Sequence, residues 1–103
     1  MIKVSVMYPN SKDIVFNKEY YCEKHVPLVS KLLGNVLKNV QVDFGLGSGE
    51  PDTPALYIVM THMTFDSIDA FQAIFSVHSE ELLSDIPNFT NSQPQIQISE
   101  VLI

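Results

Sequence analysis

The order in which two hydrophobic periodicities follow one another is the feature that most constrains the fold of this chain. In four segments apolar residues tend to alternate with polar ones, as they do in strands with one buried face. In two other segments they recur three or four positions apart, as in helices that pack on a core. The order strand, helix, strand, strand, helix, strand predicts an α+β domain of the βαββαβ, ferredoxin-like type. Both helices of such a domain lie on one face of a four-stranded antiparallel sheet.

Turn and capping residues divide these segments. The strands are predicted at residues 2–8, 40–46, 55–65 and 95–103. Asn17 is expected to cap the first helix, with Phe16 and Tyr21 packing against each other as a hydrophobic staple. Gly34 is expected to end that helix, and Asp66-Ser67 to cap the second one. Residues 45–54 read as a hairpin loop, because their glycines do not follow a phosphate-binding spacing.

The length of the chain predicts one domain, residues 1–103. Its apolar content predicts that this domain buries part of its surface against a second copy. The chain is 46% hydrophobic with a mean hydropathy of +0.12, which is high for so small a domain. A sheet with helices on one face leaves its other face to be covered, and a homodimer would cover it. The expected division of the sheet faces is Met7, Val59, Met63 and Val101 on one side, and Val4, Val6, Ile58 and Met60 on the other.

Charge and cysteine content exclude several classes of partner. The net charge is −6, the six lysines are scattered and there is no arginine, so we expect no nucleic-acid binding. The single cysteine, Cys22, rules out an intrachain disulfide and suits a reducing compartment.

The N-terminus lacks the pattern of a signal peptide, and no apolar run reaches the roughly 20 residues needed to span a bilayer. We therefore expect a cytoplasmic protein that does not bind membranes.

Two histidines fall on the apolar stripes of the predicted helices. His25 lies near the middle of the first helix and His78 about two-thirds along the second, so both could reach one crevice between helices and sheet. Histidine titrates near neutral pH, which suits an acid/base pair. A histidine on such a stripe is, however, often an ordinary core or rim residue.

Pro27 leaves two alternatives: a kink that frees the Glu23 carbonyl and opens a pocket, or a helix that begins at Pro27 with no pocket.

The remaining candidates would line a small-molecule pocket with apolar walls and few polar groups. A hydroxyl of Tyr21 or Tyr57 could orient the ligand. The other candidates for ligand binding are Phe75, His78, Asn88 and Phe89.

A metal site is not expected, because no recurring histidine or acid spacing matches one and Cys22 has no partner cysteine. A structural role is favoured for His62 on the third strand.

Three segments together resemble the EthD family, which belongs to the dimeric α/β-barrel superfamily. They are Tyr20-Tyr21-x-x-x-His25-x-Pro27, the helix start Phe65-Asp66-Ser67-x-x-Ala70-Phe71, and the run from Asp85 to Asn91 followed by Gln97 to Val101. The resemblance implies a ferredoxin-like protomer, a homodimer in which two sheets form a barrel, and a pocket between helices and sheet. It also implies that His25 is the pocket histidine. Members of the superfamily include cofactor-free monooxygenases, lactone isomerases, polyketide cyclases and haem-degrading enzymes.

The resulting hypothesis is a homodimeric enzyme that acts on an apolar or aromatic metabolite, with His25 as its catalytic acid/base. By resemblance, the reaction is of the oxidoreductase, monooxygenase or isomerase/cyclase type. We expect no cofactor: the chain has no tryptophan and few cations for haem, and no nicotinamide or flavin fingerprint. The alternative is a non-catalytic carrier or accessory protein of a degradation pathway that uses the same pocket.

Overall fold

A computed structural model describes all residues, 1–103, as one four-stranded antiparallel sheet with the helices on one face. The strands are β1 (Ile2–Pro9), β2 (Asn39–Phe44), β3 (Tyr57–Phe65) and β4 (Gln95–Glu100). The helices are α1 (Lys18–Tyr20), a π-helical turn (Tyr21–His25), α2 (Val26–Leu33) and α3 (Ile68–Ser84). Short 3₁₀ turns follow at Gly34–Val36 and Ile86–Asn88. The predicted α+β, βαββαβ fold is confirmed.

The strand order is β2-β3-β1-β4, so β2 and β4 are the edge strands and β1 and β3 lie at the centre. β1 pairs antiparallel with both β3 and β4, and the register between β1 and β3 shifts near Tyr8 and Pro9. Gly45, directly after β2, is constrained by close packing, since a Cβ there would lie 2.2 Å from the Tyr57 carbonyl oxygen. None of the helices has the length and apolar character needed to span a bilayer.

The predicted division of the sheet faces is wrong. Val4 pairs directly with Met63 on β3, and Val6 pairs with Thr61. Because directly paired residues of antiparallel strands point to the same side, Val4, Val6, Val59 and Met63 all face the helices. The opposite face carries Met7, Ile58 and Met60 among polar side chains such as Ser5, Gln41, His62 and Gln97. Alternation along a single strand cannot decide which set faces the helices, and the pairing register decides it here.

The helix boundaries follow their capping residues. The Asn17 side chain accepts from the Tyr20 backbone N–H, and the Ser67 side chain accepts from that of Ala70. Phe16 and Tyr21 form the expected staple, with ring centroids 5.2 Å apart. Gly34 ends α2 with a φ of 56°, a value that favours glycine.

Two hydrophobic clusters hold the helices on the sheet. The first lies under α2 and α3 and consists of Val4, Leu33, Met63, Phe65, Phe71 and Leu82. The second lies under α1 and the π-helical turn and consists of Tyr8, Tyr21, Val59 and Phe89. Full burial of each large side chain contributes roughly 1.5–3 kcal/mol, so these clusters account for much of the stability of the fold.

Candidate functional site

The π-helical turn sets the positions of Tyr21 and His25, two aromatic side chains of the site. The backbone N–H of Val26 bonds to the carbonyl of Tyr21, five residues back, and Pro27 has no N–H to give the next bond. Tyr21 and His25 therefore lie side by side, with their rings stacked at a centroid distance of 5.3 Å. Neither alternative drawn from Pro27 describes this stretch: helical structure already begins at Lys18, and it widens into a π turn directly before α2.

Asp85 fixes the orientation of the His25 ring. His25 Nδ1 lies 2.8 Å from Asp85 Oδ2, and the histidine is only 6% exposed. The hydroxyl of Tyr20 donates to the other carboxylate oxygen at 2.7 Å, and the Asn88 amide donates to the same oxygen at 2.9 Å. An ionised carboxylate only accepts hydrogen bonds, so His25 carries its proton on Nδ1 in the neutral state. Its other nitrogen, Nε2, is then a free base.

The ionised form of Asp85 is stabilised by its donors. Burial alone would raise the pKa of this carboxyl, but the hydrogen bonds from Asn88, His25 and Tyr20 outweigh burial and lower it. The same contact raises the pKa of the Tyr20 hydroxyl, mainly through its hydrogen bond to Asp85. Asp85 is therefore a carboxylate at neutral pH, as the orientation of His25 requires.

His25 Nε2 faces a cavity between the sheet and the helices. No residue bonds to Nε2, yet no buried side-chain nitrogen or oxygen in the structure lacks a partner. Nε2 must therefore reach open space, and His25 lines a cavity of about 60 Å³ where the two clusters meet. The apolar lining residues include Val6, Val29, Leu33, Val40, Met63, Phe75 and Leu82.

Three hydroxyl groups lie at the sheet side of this cavity. The Tyr21 hydroxyl is hydrogen-bonded to that of Thr61, and the Tyr8 hydroxyl lies beside that of Tyr21. Burial raises the pKa of the Tyr8 hydroxyl, and the neighbouring Tyr21 raises it further. Burial also raises the pKa of the Tyr21 hydroxyl. Both phenols therefore stay protonated at neutral pH and can donate hydrogen bonds.

A wider opening continues from the cavity toward the edge strand β4. It has a volume of about 350 Å³ and shares four lining residues with the cavity, namely Leu83, Ile86, Pro94 and Ile96. Its other lining residues are Pro87, Ser92 and Gln93. We call this opening the vestibule. The cavity alone has room for a group of a few atoms, whereas cavity and vestibule together reach the size of a metabolite site.

The structure brings some of the predicted site residues together and not others. His25, Tyr21 and Phe75 line the cavity. The Phe89 ring packs on His25 at a centroid distance of 4.7 Å, and Asn88 acts on His25 through Asp85. Two predicted residues lie elsewhere: the Tyr57 hydroxyl donates to Gln95, and His78 is half-buried on α3 outside the cavity lining.

Sequence reasoning did not identify Asp85, Tyr8 or Thr61 as site residues. Asp85 follows the last residue of α3, where a negative charge is unfavourable next to the helix dipole and therefore calls for partners of its own. Tyr8 and Thr61 occupy inward positions of their strands, in line with Val4 and Val59. A hydroxyl at an inward strand position is a signal that pattern reading can detect once the register is known.

The third histidine belongs to the opposite face of the sheet. His62 Nδ1 lies 2.8 Å from the Ser5 hydroxyl, and its Nε2 lies 3.6 Å from Asp43 Oδ2. The strands alone explain this cross-strand contact, which fits the structural role predicted for His62. No three histidine, cysteine, aspartate or glutamate side chains lie close enough together to hold a metal ion.

Comparisons of the sequence and of the structure with known proteins point to the same family. The family described as the EthD domain matches residues 16–93. A crystal structure of an EthD-like protein from Ralstonia eutropha JMP134 is 37% identical, with a TM-score of 0.95 over 99% of this chain and 92% of the other. An EthD family protein from Bacillus halodurans C-125 is 21% identical, with a TM-score of 0.77 and 99% coverage of both chains.

More distant structures share the fold. A dimeric protein of unknown function with a ferredoxin-like fold, from Bacteroides fragilis NCTC 9343, is 16% identical, with a TM-score of 0.57 over 97% of this chain and 95% of the other. At this identity the likeness concerns the fold alone. A comparison with curated proteins finds no match.

Proposed function

The chain belongs to the EthD family, and on that premise we propose that it is a cofactor-free enzyme that binds a small apolar or aromatic metabolite between its helices and its sheet. One observation carries this proposal: His25 is bound through Nδ1 to a carboxylate while its Nε2 faces an apolar cavity. A base that is oriented in this way can remove a proton from a bound ligand and return it. His25 is the proposed catalytic residue.

The surroundings of His25 favour proton transfer. When Nε2 takes a proton, the imidazolium that forms stays hydrogen-bonded to the negative charge of Asp85 at 2.8 Å. The apolar walls exclude water and so strengthen this interaction. Positioned acid/base groups of this kind contribute about 10²–10⁴-fold to a rate. The reaction proposed is of the isomerase/cyclase or oxidoreductase type.

Ligand contacts are proposed for the residues around the cavity. Tyr21 and Phe75 would touch the ligand directly, and Phe89 would hold His25 in place from its far side. Asn88 would support the site through Asp85. Tyr57 and His78 would contribute only if the ligand extended beyond the cavity lining.

We further propose that the protein is a homodimer. The sheet face opposite the helices has no cover in the protomer and carries Met7, Ile58 and Met60. On the helix side of the edge strand β4, Ile96 and Ile98 are also 49% and 37% exposed. The similar ferredoxin-like protein from Bacteroides fragilis is described as dimeric, which supports the same assembly here.

The experiment that tests the enzymatic proposal begins with the natural ligand. Mass spectrometry of the native protein would identify a molecule that copurifies with it, and turnover of this molecule and its analogues would then be measured. We expect His25→Ala to lower kcat at least about 100-fold. The matched control is His62→Gln, which changes a histidine on the opposite sheet face and should leave kcat unchanged.

Two results would contradict the proposal. Turnover that survives His25→Ala would remove the catalytic role of His25. Tight binding without turnover of any analogue would instead make the protein a carrier that uses the same cavity.

A further inference from the structure

We propose that Tyr8 binds the ligand, and that the ligand enters the cavity with a hydroxyl group first, as a phenol or an enol. This inference rests on the proposed function, because it concerns the same cavity. It adds a ligand-binding residue and a substrate class. The argument depends on which hydrogen-bonding groups the inner end of the cavity leaves unused.

The donors can be counted from the three hydroxyls of Tyr8, Tyr21 and Thr61. They hold three protons, and three groups in a row can make at most two hydrogen bonds with one another. At least one hydroxyl proton is therefore left for an acceptor from outside the row. Tyr21 and Thr61 are bonded to each other, whereas the Tyr8 hydroxyl makes no hydrogen bond to another residue; since no buried side-chain oxygen lacks a partner, the Tyr8 oxygen opens onto the cavity. Tyr8 is only 1% exposed and lines the cavity, so its spare donor can be used only inside the cavity.

The acceptor in the same cavity is His25 Nε2, which has no partner in the protein. Tyr21 lies between the two groups: its ring stacks on that of His25 at 5.3 Å and meets that of Tyr8 edge-on at 5.8 Å. Tyr8 and His25 line the same cavity, so one ligand bound there can contact both. The other lining groups are almost entirely apolar.

A hydroxyl is the smallest group that complements this pair. Its oxygen accepts from the Tyr8 O–H while its own proton points to His25 Nε2. A carboxylate would lack the proton, and an ammonium group would lack the acceptor. The small cavity holds only this end of the molecule, and the apolar remainder of the ligand lies toward Leu83, Ile86 and Ile96 in the vestibule.

The chemical step that follows is a proton transfer. The ligand O–H bond breaks, its proton goes to His25 Nε2, and the electron pair stays on the ligand oxygen. Tyr8 stabilises the resulting oxyanion by a hydrogen bond, and Asp85 stabilises the imidazolium. The phenol of Tyr8 keeps its own proton, because burial raises its pKa.

The test compares phenol with toluene, which has the same shape but lacks the oxygen. Binding is followed by NMR through the backbone amides of Val6 and Thr61, which line the cavity. We expect the wild-type protein to bind phenol roughly 10- to 50-fold more tightly than toluene, as two additional neutral hydrogen bonds, to Tyr8 and His25, predict. Tyr8→Phe should reduce this preference about 5-fold, because the bond to His25 remains, and should leave the affinity for toluene unchanged. Tyr57→Phe, which removes a phenol hydroxyl outside the cavity lining, is the matched control and should retain the full preference.

The outcomes separate this inference from the proposed function. If neither probe shifts the amides of the cavity, the ligand-binding function itself fails. If both probes bind the wild-type protein equally, the proposed hydroxyl class fails. If Tyr8→Phe keeps the full preference for phenol, the proposed role of Tyr8 fails. In both cases the proposed function stands. The comparison in the wild-type protein decides the question even if Tyr8→Phe does not fold.

Discussion

Among single residues, Asp85 has the largest influence on the site although it does not line the cavity. It accepts hydrogen bonds from His25, Tyr20 and Asn88, which lie on two separate parts of the chain. Through these contacts it selects the tautomer of His25 and joins the π-helical turn to the end of α3. Its side chain is 14% exposed, so its charge is weakly screened by solvent.

Asp85→Asn tests this role through stability. Loss of the charge weakens three hydrogen bonds, and we expect the free energy of unfolding at pH 7 to fall by about 1–3 kcal/mol. Urea denaturation measures this value. Asp43→Asn is the control, since the Asp43 side chain is half exposed and lies 3.6 Å from His62 Nε2. This substitution should lower the free energy of unfolding by less than about 0.5 kcal/mol.

The pH dependence of stability follows from the lowered pKa of Asp85. The unfolded carboxyl, with a pKa of 3.8, takes up a proton more readily than the folded one, so acid favours unfolding. The stabilisation from Asp85 is present above pH 3.8 and is lost as the pH falls through the folded pKa. The difference between wild type and Asp85→Asn should therefore shrink when urea denaturation is repeated at pH 3. A difference that stays constant from pH 7 to pH 3 would contradict this assignment.

At the scale of secondary structure, the caps of α1 and α3 offer a matched pair. Asn17 and Ser67 each accept one backbone N–H at the start of a helix. Replacement of either by alanine should lower the free energy of unfolding by about 1 kcal/mol. Only Asn17 precedes the turn that positions Tyr21 and His25, so only Asn17→Ala should also weaken the binding of phenol. Equal effects of both variants on phenol affinity, measured by NMR titration, would show that α1 does not control the site.

The β2–β3 connection provides a second test at this scale. A Cβ on Gly45 would meet the Tyr57 carbonyl oxygen at 2.2 Å, whereas one on Gly47 would meet nothing closer than 3.7 Å. Gly45→Ala should therefore displace the backbone directly after β2 and lower the free energy of unfolding by more than about 1 kcal/mol. Gly47→Ala should change stability by less than about 0.5 kcal/mol. Thermal denaturation of both variants measures the difference, and similar melting temperatures would contradict the expected clash.

The elements were predictable from the sequence because their signals are local. Capping by Asn17 and Ser67, the staple of Phe16 and Tyr21 and the stop at Gly34 each depend on neighbours within a few positions. The sheet faces were not predictable in this way, since the pairing of Val4 with Met63 joins residues far apart in the chain. The site was predictable only in part for the same reason. His25 and Tyr21 share a helical stretch, but Asp85, Tyr8 and Thr61 reach them from three other parts of the fold.

At the scale of the whole molecule, the proposed assembly can be tested by mass. The chain has a mass of 11.6 kDa, and sedimentation equilibrium at micromolar concentration should give about twice this value. A standard interface buries about 800 Å² per partner, and the uncovered sheet face with the edge strand β4 is the surface proposed to supply it. A monomer at these concentrations would exclude a stable dimer. It would leave the cavity in place, because every residue that lines it belongs to a single protomer.

The π-helical turn at Tyr21–His25 has a consequence for how such a site could arise and be lost. A π turn contains one residue more than an α-helical turn, so it is equivalent to the insertion of a single residue into a regular helix. Deletion of one exposed residue, such as Glu23, would restore the α-helix and rotate Tyr20 and Tyr21 by about 100° relative to His25. Substitutions at positions 22–24 would leave the geometry intact. The arrangement of this site is therefore encoded in the number of residues in the helix as much as in their identity.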